Sequence, residues 1–160
     1  MAKKLQVSGD IREGFHMLSI VSSFADYRIS FFINNNLGIT LKKYADFIYE
    51  TDKTPFSWFY FYDSDRHLYY YLFANKCQSK NLIPELKQFD YLLFIKGILP
   101  ENFYNEKTIK LRGTQGIQAV FQQNIMKIKN TDLLLEALEL HELNEVIIPG
   151  RGQKFHFKKP

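Results

Sequence analysis

Apolar and polar positions change period along the chain, and each change predicts an element. Phe15, Met17, Leu18, Ile20 and Val21 fit either a buried strand or a helix edge, and the segment from Leu5 to Val21 is read as strand. From Ser23 the period becomes helical. Ser23 with Asp26 three residues on resembles a capping box, Phe24, Tyr27 and Phe31 follow at helical spacing with Ile29, Phe32 and Ile33, and Gly38 supplies a stop. Thr40 then predicts the cap of a second short helix through Leu41, Tyr44, Ala45 and Ile48, giving a helical hairpin.

After Pro55 the pattern turns to β-formers. Residues 56–62 and 67–73 are dense in aromatic side chains, and Asp63-Ser64-Asp65-Arg66 between them are turn-formers, which predicts a β-hairpin. Trp58, Tyr60 and Tyr62 fall on one pleat face with Tyr69 and Tyr71 across from them. Tyr91 to Ile95 is apolar on both pleat faces, the mark of a central strand with both sides covered. Pro100 and Glu101 predict a helix running to Gly113, and residues 117–121 predict a strand. Thr131 predicts the cap of an amphipathic helix with Leu133, Leu134, Ala137, Leu138 and Leu140 inward and Glu136, Glu139, Glu142 and Glu145 mostly outward, ended by Pro149 and Gly150. The fold class expected is α+β: a mainly antiparallel sheet with an aromatic hairpin and helices on at least one face.

The 160 residues, 46% hydrophobic and 24% charged, suit one globular domain, taken as residues 1–145 with a basic C-terminal tail over 146–160. Charge sharpens that division. The formal +4 resides in Arg151, Lys154, Lys158 and Lys159, because residues 1–145 hold 17 basic and 17 acidic side chains. Attraction to phosphate or an anionic surface therefore belongs to the tail, unless the folded body segregates its charges onto opposite faces. A single cysteine, Cys77, excludes an intrachain disulfide and points to a reducing compartment. No apolar run approaches the ~20 residues that span a bilayer, so a cytoplasmic protein without membrane contact is expected.

The stretch Ile83-Pro84-Glu85-Leu86-Lys87-Gln88-Phe89-Asp90-Tyr91 resembles the signature of the IPExxxVDY family of small bacterial proteins, known chiefly from Bacteroidetes, with Phe89 where that family has Val. Asp26-Tyr27-Arg28, the helix ending near Leu37-Gly38, and the Tyr-rich hairpin with Asn75 at its end resemble the family's layout over residues 15–125. The resemblance implies no activity. Physically, Pro84 fixes its own φ and holds Ile83 extended, so the chain reaches Glu85 in a rigid bend. Glu85 can accept backbone N–H groups or pair with Arg28 or Arg66, and Asp90 can accept amides where a strand begins. Paired acids can also perform acid–base chemistry, but the architectural role is the favoured reading.

Other patterns are weaker. His141-Glu142-Leu143-Asn144-Glu145 lacks the second histidine of a zinc helix, so no metal site is expected. Gly113-Thr114-Gln115-Gly116 has the bare form of an RNA-clamping loop but is better explained as a helix stop and turn. The aromatic face of Trp58, Tyr60, Tyr69 and Tyr71 suits a core edge or protein interface more than base stacking. The function expected is a non-catalytic interaction module meeting a protein partner through the aromatic hairpin or the Glu85 loop. RNA binding through the sheet aromatics and basic tail is the alternative, and an enzyme using Glu85 and Asp90 comes third. No cofactor is expected, and a homodimer is left open.

Overall fold

The structure, a computed structural model, describes residues 9–49 and 53–147. Six antiparallel strands form the main sheet: β1 (Phe15–Val21), β2 (Lys42–Lys43), β5 (Trp58–Asp63), β6 (Leu68–Ala74), β9 (Tyr91–Lys96) and β10 (Ala119–Gln123), in the order β10-β1-β9-β6-β5-β2. Two small hairpins flank it, β3 (Phe47–Ile48) with β4 (Pro55–Phe56) and β7 (Lys76–Cys77) with β8 (Lys80–Asn81). Helices cover both faces. On one side α1 (Asp26–Leu37) and α2 (Phe103–Arg112) bury Ile29, Ile33, Phe103 and Leu111 with Leu18, Ile20, Tyr70, Leu72, Leu93 and Ile95. On the other, α3 (Thr131–Glu142) buries Leu134, Leu135 and Leu138 with Met17, Trp58, Tyr71, Phe73, Leu92 and Phe94. The expected α+β class is what the chain adopts.

The unbroken apolar run of β9 follows from its place between β1 and β6. Leu92 and Phe94 face α3, while Tyr91, Leu93 and Ile95 face α1 and α2, so no pleat position meets water. The hairpin forms as read: Tyr60 lies opposite Tyr71, and Asp63 Oδ1 accepts the N–H groups of Asp65 and Arg66 at 3.1 and 3.2 Å to turn the chain.

Three expectations are corrected. The helix expected from Thr40 to Ile48 does not form. Asn34 Oδ1 accepts the Leu41 N–H at 2.8 Å, which extends the chain into β2, whose backbone pairs with Tyr60 and Phe59. Tertiary strand pairing overrides the local spacing there. Ser23 is exposed and caps nothing: α1 begins at Asp26 with Ala25 before it and no side-chain cap, while Gly38 ends the helix with φ 68° and its N–H on Asn34 O. In α3, Leu133 and Leu140 are 53% and 59% exposed, and Glu142 is buried. Leu133, Leu134 and Leu135 cannot all face the sheet, and the stripe that docks is Thr131, Leu134, Leu135, Leu138 and Glu142. Smaller shifts affect α2, which starts at Phe103 after Asn102 rather than at Pro100, and the helical chain beyond α3, which continues as a wide turn over Leu143–Ile147. The stop expected at Pro149 and Gly150 lies outside the described residues.

Candidate functional site

The signature segment folds as a three-residue turn, Pro84–Leu86, entered through an extended Ile83 with φ −119° and ψ 102°. Its organising residue is Asn75, at the end of β6 and fully buried. Asn75 Nδ2 donates to Leu86 O at 2.9 Å and Phe89 O at 3.0 Å, and Oδ1 accepts the Ile83 N–H at 2.9 Å. Its main chain donates to Asp90 O and accepts from Leu82 N. One amide side chain thus satisfies backbone groups that a loop folded against the core would otherwise bury unpaired. Phe89, at the departure from the family pattern, is buried and meets Phe121 edge-on with centroids 5.6 Å apart.

Glu85 and Asp90 are not brought together. Glu85 is exposed, and its Oε2 accepts the Lys129 N–H at 3.3 Å, joining the loop to the entry of α3. It borders a cleft of about 190 Å³ with Tyr49, Ile83, Pro84, Lys129 and Asn130 that Asp90 does not reach. Asp90 Oδ2 accepts the Ser22 N–H at 2.9 Å, and Oδ1 pairs with Lys76 Nζ at 3.1 Å. Neither acid pairs with the arginines expected for Glu85: Arg28 stacks 3.9 Å above the Phe24 ring and Arg66 pairs with Asp63. Two carboxylates on separate backbone duties do not make an acid–base pair, which requires convergence on one reacting atom.

The hairpin aromatics meet under α3. Trp58 and Tyr71 are 0% exposed and Tyr60 7%, so the ring faces expected on a binding surface are spent on packing. Trp58 stacks near Tyr71 at 6.5 Å and Phe73 at 5.9 Å, meets His141 edge-on at 4.9 Å, and donates Nε1–H to Ala45 O at 2.6 Å. His141 Nε2 lies 2.9 Å from the same carbonyl, so this histidine ties α3 to the sheet margin. Tyr69 stands at the border of the cluster, half-buried, with Lys96 Nζ 4.3 Å from its ring centre and Tyr62 4.6 Å away.

Lys96, which the sequence reading did not single out, and Glu139 and Glu142, which it placed mostly outward, complete this seam. Tyr71 OH donates to Glu142 Oε1 at 2.9 Å, and Lys96 Nζ lies 3.1 Å from Glu139 Oε2 and 3.8 Å from Glu142 Oε1. Glu142 Oε2 is buried and accepts no hydrogen bond within 3.5 Å among the described residues. Burial first, and then Glu142 through its charge and hydrogen bonding, push the Tyr71 and Tyr60 hydroxyls far above the ordinary phenol range, so both stay protonated at any physiological pH. The signal for Glu142 was its spacing of four from Leu138 on the docking stripe.

Exposed aromatics appear instead on α1. Tyr27 is 68% and Phe31 56% exposed, and Phe31 leans on Phe32, which contacts Phe24. Charge is also unevenly distributed: α3 and its following turn hold Asp132, Glu136, Glu139, Glu142 and Glu145 with no lysine or arginine, whereas α2 holds Lys107, Lys110 and Arg112 against Glu106. Gly113 ends α2 and Gly116, at φ 89°, packs on Phe24, so the Gly-x-x-Gly segment is a turn here.

Arg151, Lys154, Lys158 and Lys159, the basic tail residues, lie outside the described residues. Among the described residues, no group of three or more His, Cys, Asp or Glu could hold a metal ion, and no helix is long and apolar enough to cross a membrane. The chain matches no protein-family model and no curated protein sequence.

Proposed function

We propose that the protein is a non-catalytic interaction module that recognises a protein partner through the outer face of α1. The observation that carries this reading is the exposure of Tyr27 and Phe31 beside Phe24, Phe32 and the stacked Arg28. Aromatic side chains and arginine are the residue types that dominate interface energetics, because they bury large rigid areas at little conformational cost. An aromatic pair left in water beside two half-buried rings forms a contiguous apolar patch of the kind that marks an interaction site. The partner surface thus shifts from the hairpin to the helix packed over its opposite pleat face.

The test is capture from the native cell with tagged wild-type chain and with the Tyr27→Ser/Phe31→Ser double variant, at equal circular dichroism and melting temperature. A stoichiometric protein recovered by the wild type and lost with the variant supports the reading. Recovery of the same proteins by both, or of RNA by both, contradicts it.

A further inference from the structure

The outer face of α3 carries an exposed apolar stripe on which no other described residue packs closely enough to bury it. Leu133 and Leu140 are 53% and 59% exposed and lie two helical turns apart, with half-buried Ala137 between them. The stripe runs among acids. Of the five acidic side chains on α3 and its following turn, Glu139 and Glu142 pair with Lys96 and Asp132 lies in the field of Arg12, leaving Glu136 and Glu145 with no ion pair among the described residues.

Residues 148–160 follow this helical stretch directly, and their composition is its complement. They hold Arg151, Lys154, Lys158 and Lys159, no acid, and two phenylalanines, Phe155 and Phe157. Reach is sufficient: the axial distance from Ile147 back to Leu133 is ~21 Å at helical rise. A chain reversing at Pro149-Gly150 and running extended carries Phe155 back ~17 Å and Phe157 ~23 Å. Alternate residues of an extended segment share a side, so both rings can face the stripe together. A tethered segment also meets the helix at an effective concentration in the millimolar range, well above that of a second copy at ordinary protein concentrations.

We propose that residues 148–160 dock in cis on the outer face of α3, with Phe157 over Leu133, Phe155 over the Ala137–Leu140 part of the stripe, and the basic side chains along Glu136 and Glu145. The strap covers the face opposite the α1 patch and is independent of that surface's function.

Paired cysteines test it without removing any apolar group of the contact. In a Cys77→Ala background, Lys129→Cys with Lys159→Cys, the latter on the same side of the extended segment as Phe155 and Phe157, is compared with Asn35→Cys with Lys159→Cys; Lys129 is exposed just before α3 and Asn35 on the outer side of α1. Docking predicts that the first pair closes an intramolecular disulfide at least about tenfold faster than the second. It also predicts that salt slows the first pair selectively, as does adding Phe155→Ser and Phe157→Ser. Equal closure rates would overturn the proposal. So would disulfide-linked dimers whose yield rises with protein concentration, since a second copy would then cover the stripe.

Discussion

Asn75 Oδ1 accepts the Ile83 N–H at 2.9 Å, and through that bond the end of the aromatic hairpin fixes the bend that opens the Ile-Pro-Glu segment. The same side chain holds the carbonyls of Leu86 and Phe89. Asn75→Ala strands one buried donor and two buried acceptors and is expected to destabilise by about 3–5 kcal/mol. Asn75→Asp, which sets a carboxylate against two carbonyls, should cost at least as much. By contrast, Glu85→Ala, at an exposed acceptor, should stay within about 0.5 kcal/mol. Urea unfolding of the three variants checks the ranking, and an Asn75→Ala cost no larger than that of Glu85→Ala would refute the hub role.

The buried bond from Tyr71 to Glu142 predicts coupling between the sheet and the end of α3. Tyr71→Phe removes the donor from a carboxylate whose other oxygen accepts no hydrogen bond among the described residues and should cost about 1–3 kcal/mol. With Glu142→Leu also present the carboxylate is gone, and the second loss should largely disappear. A double-mutant cycle should therefore give a coupling of about 1–3 kcal/mol, whereas additivity within about 0.5 kcal/mol would show that the bond carries no net weight.

Alkaline pH should unfold the protein through its buried tyrosines. Burial pushes Tyr70 and Tyr91 up to about 12, and raises Tyr60, Tyr71 and Tyr104 as well. An unfolded tyrosine ionises near pH 10, so between there and about 12 the unfolded chain binds fewer protons than the folded one, and stability falls as pH rises. The contribution is fully present below the unfolded value. Tyrosinate absorbance recorded together with circular dichroism should show part of the ten-tyrosine signal arriving only as structure is lost; complete ionisation with native dichroism would contradict this.

Gly116 has φ 89°, and an added Cβ would overlap the Phe24 ring. Gly116→Ala combines a left-handed backbone with overpacking and should cost about 2–4 kcal/mol. Gly14→Ala, where nothing lies within 4 Å, should change stability by less than about 0.5 kcal/mol. Thermal melts of the pair provide the comparison.

The sequence was most readable where local pattern and tertiary place agree. The two-sided apolar run Tyr91–Ile95 announced a central strand because only a strand covered on both faces tolerates it. The hairpin was readable from its turn residues, and α1 from the glycine at its end. Reading failed where a distant side chain decides. The helical spacing from Leu41 to Ile48 was overruled by Asn34 and by pairing with β5, and among three consecutive leucines the reading of Leu133 and Leu140 as inward was overruled by a sheet that takes Leu134, Leu135 and Glu142. The role of Asn75 was invisible for the same reason, and the partner of Glu142 was too, although its spacing from Leu138 marked the face it shares: each depends on residues far along the chain. The pleat-face grouping of Trp58, Tyr60, Tyr69 and Tyr71 was legible, but whether a helix covers that face was not.

Covering by α3 is what separates a packed hairpin face from an open binding platform. Trp58 is the sole tryptophan, so its fluorescence reports the aromatic face without interference. Acrylamide quenching of the native protein, alone and with single-stranded RNA at low salt, is the most direct measurement. A hairpin face covered by α3 gives a weakly quenched, blue-shifted emission that RNA leaves unchanged. A solvent-like emission, readily quenched and shielded by RNA, would mean that the hairpin face is an open binding platform.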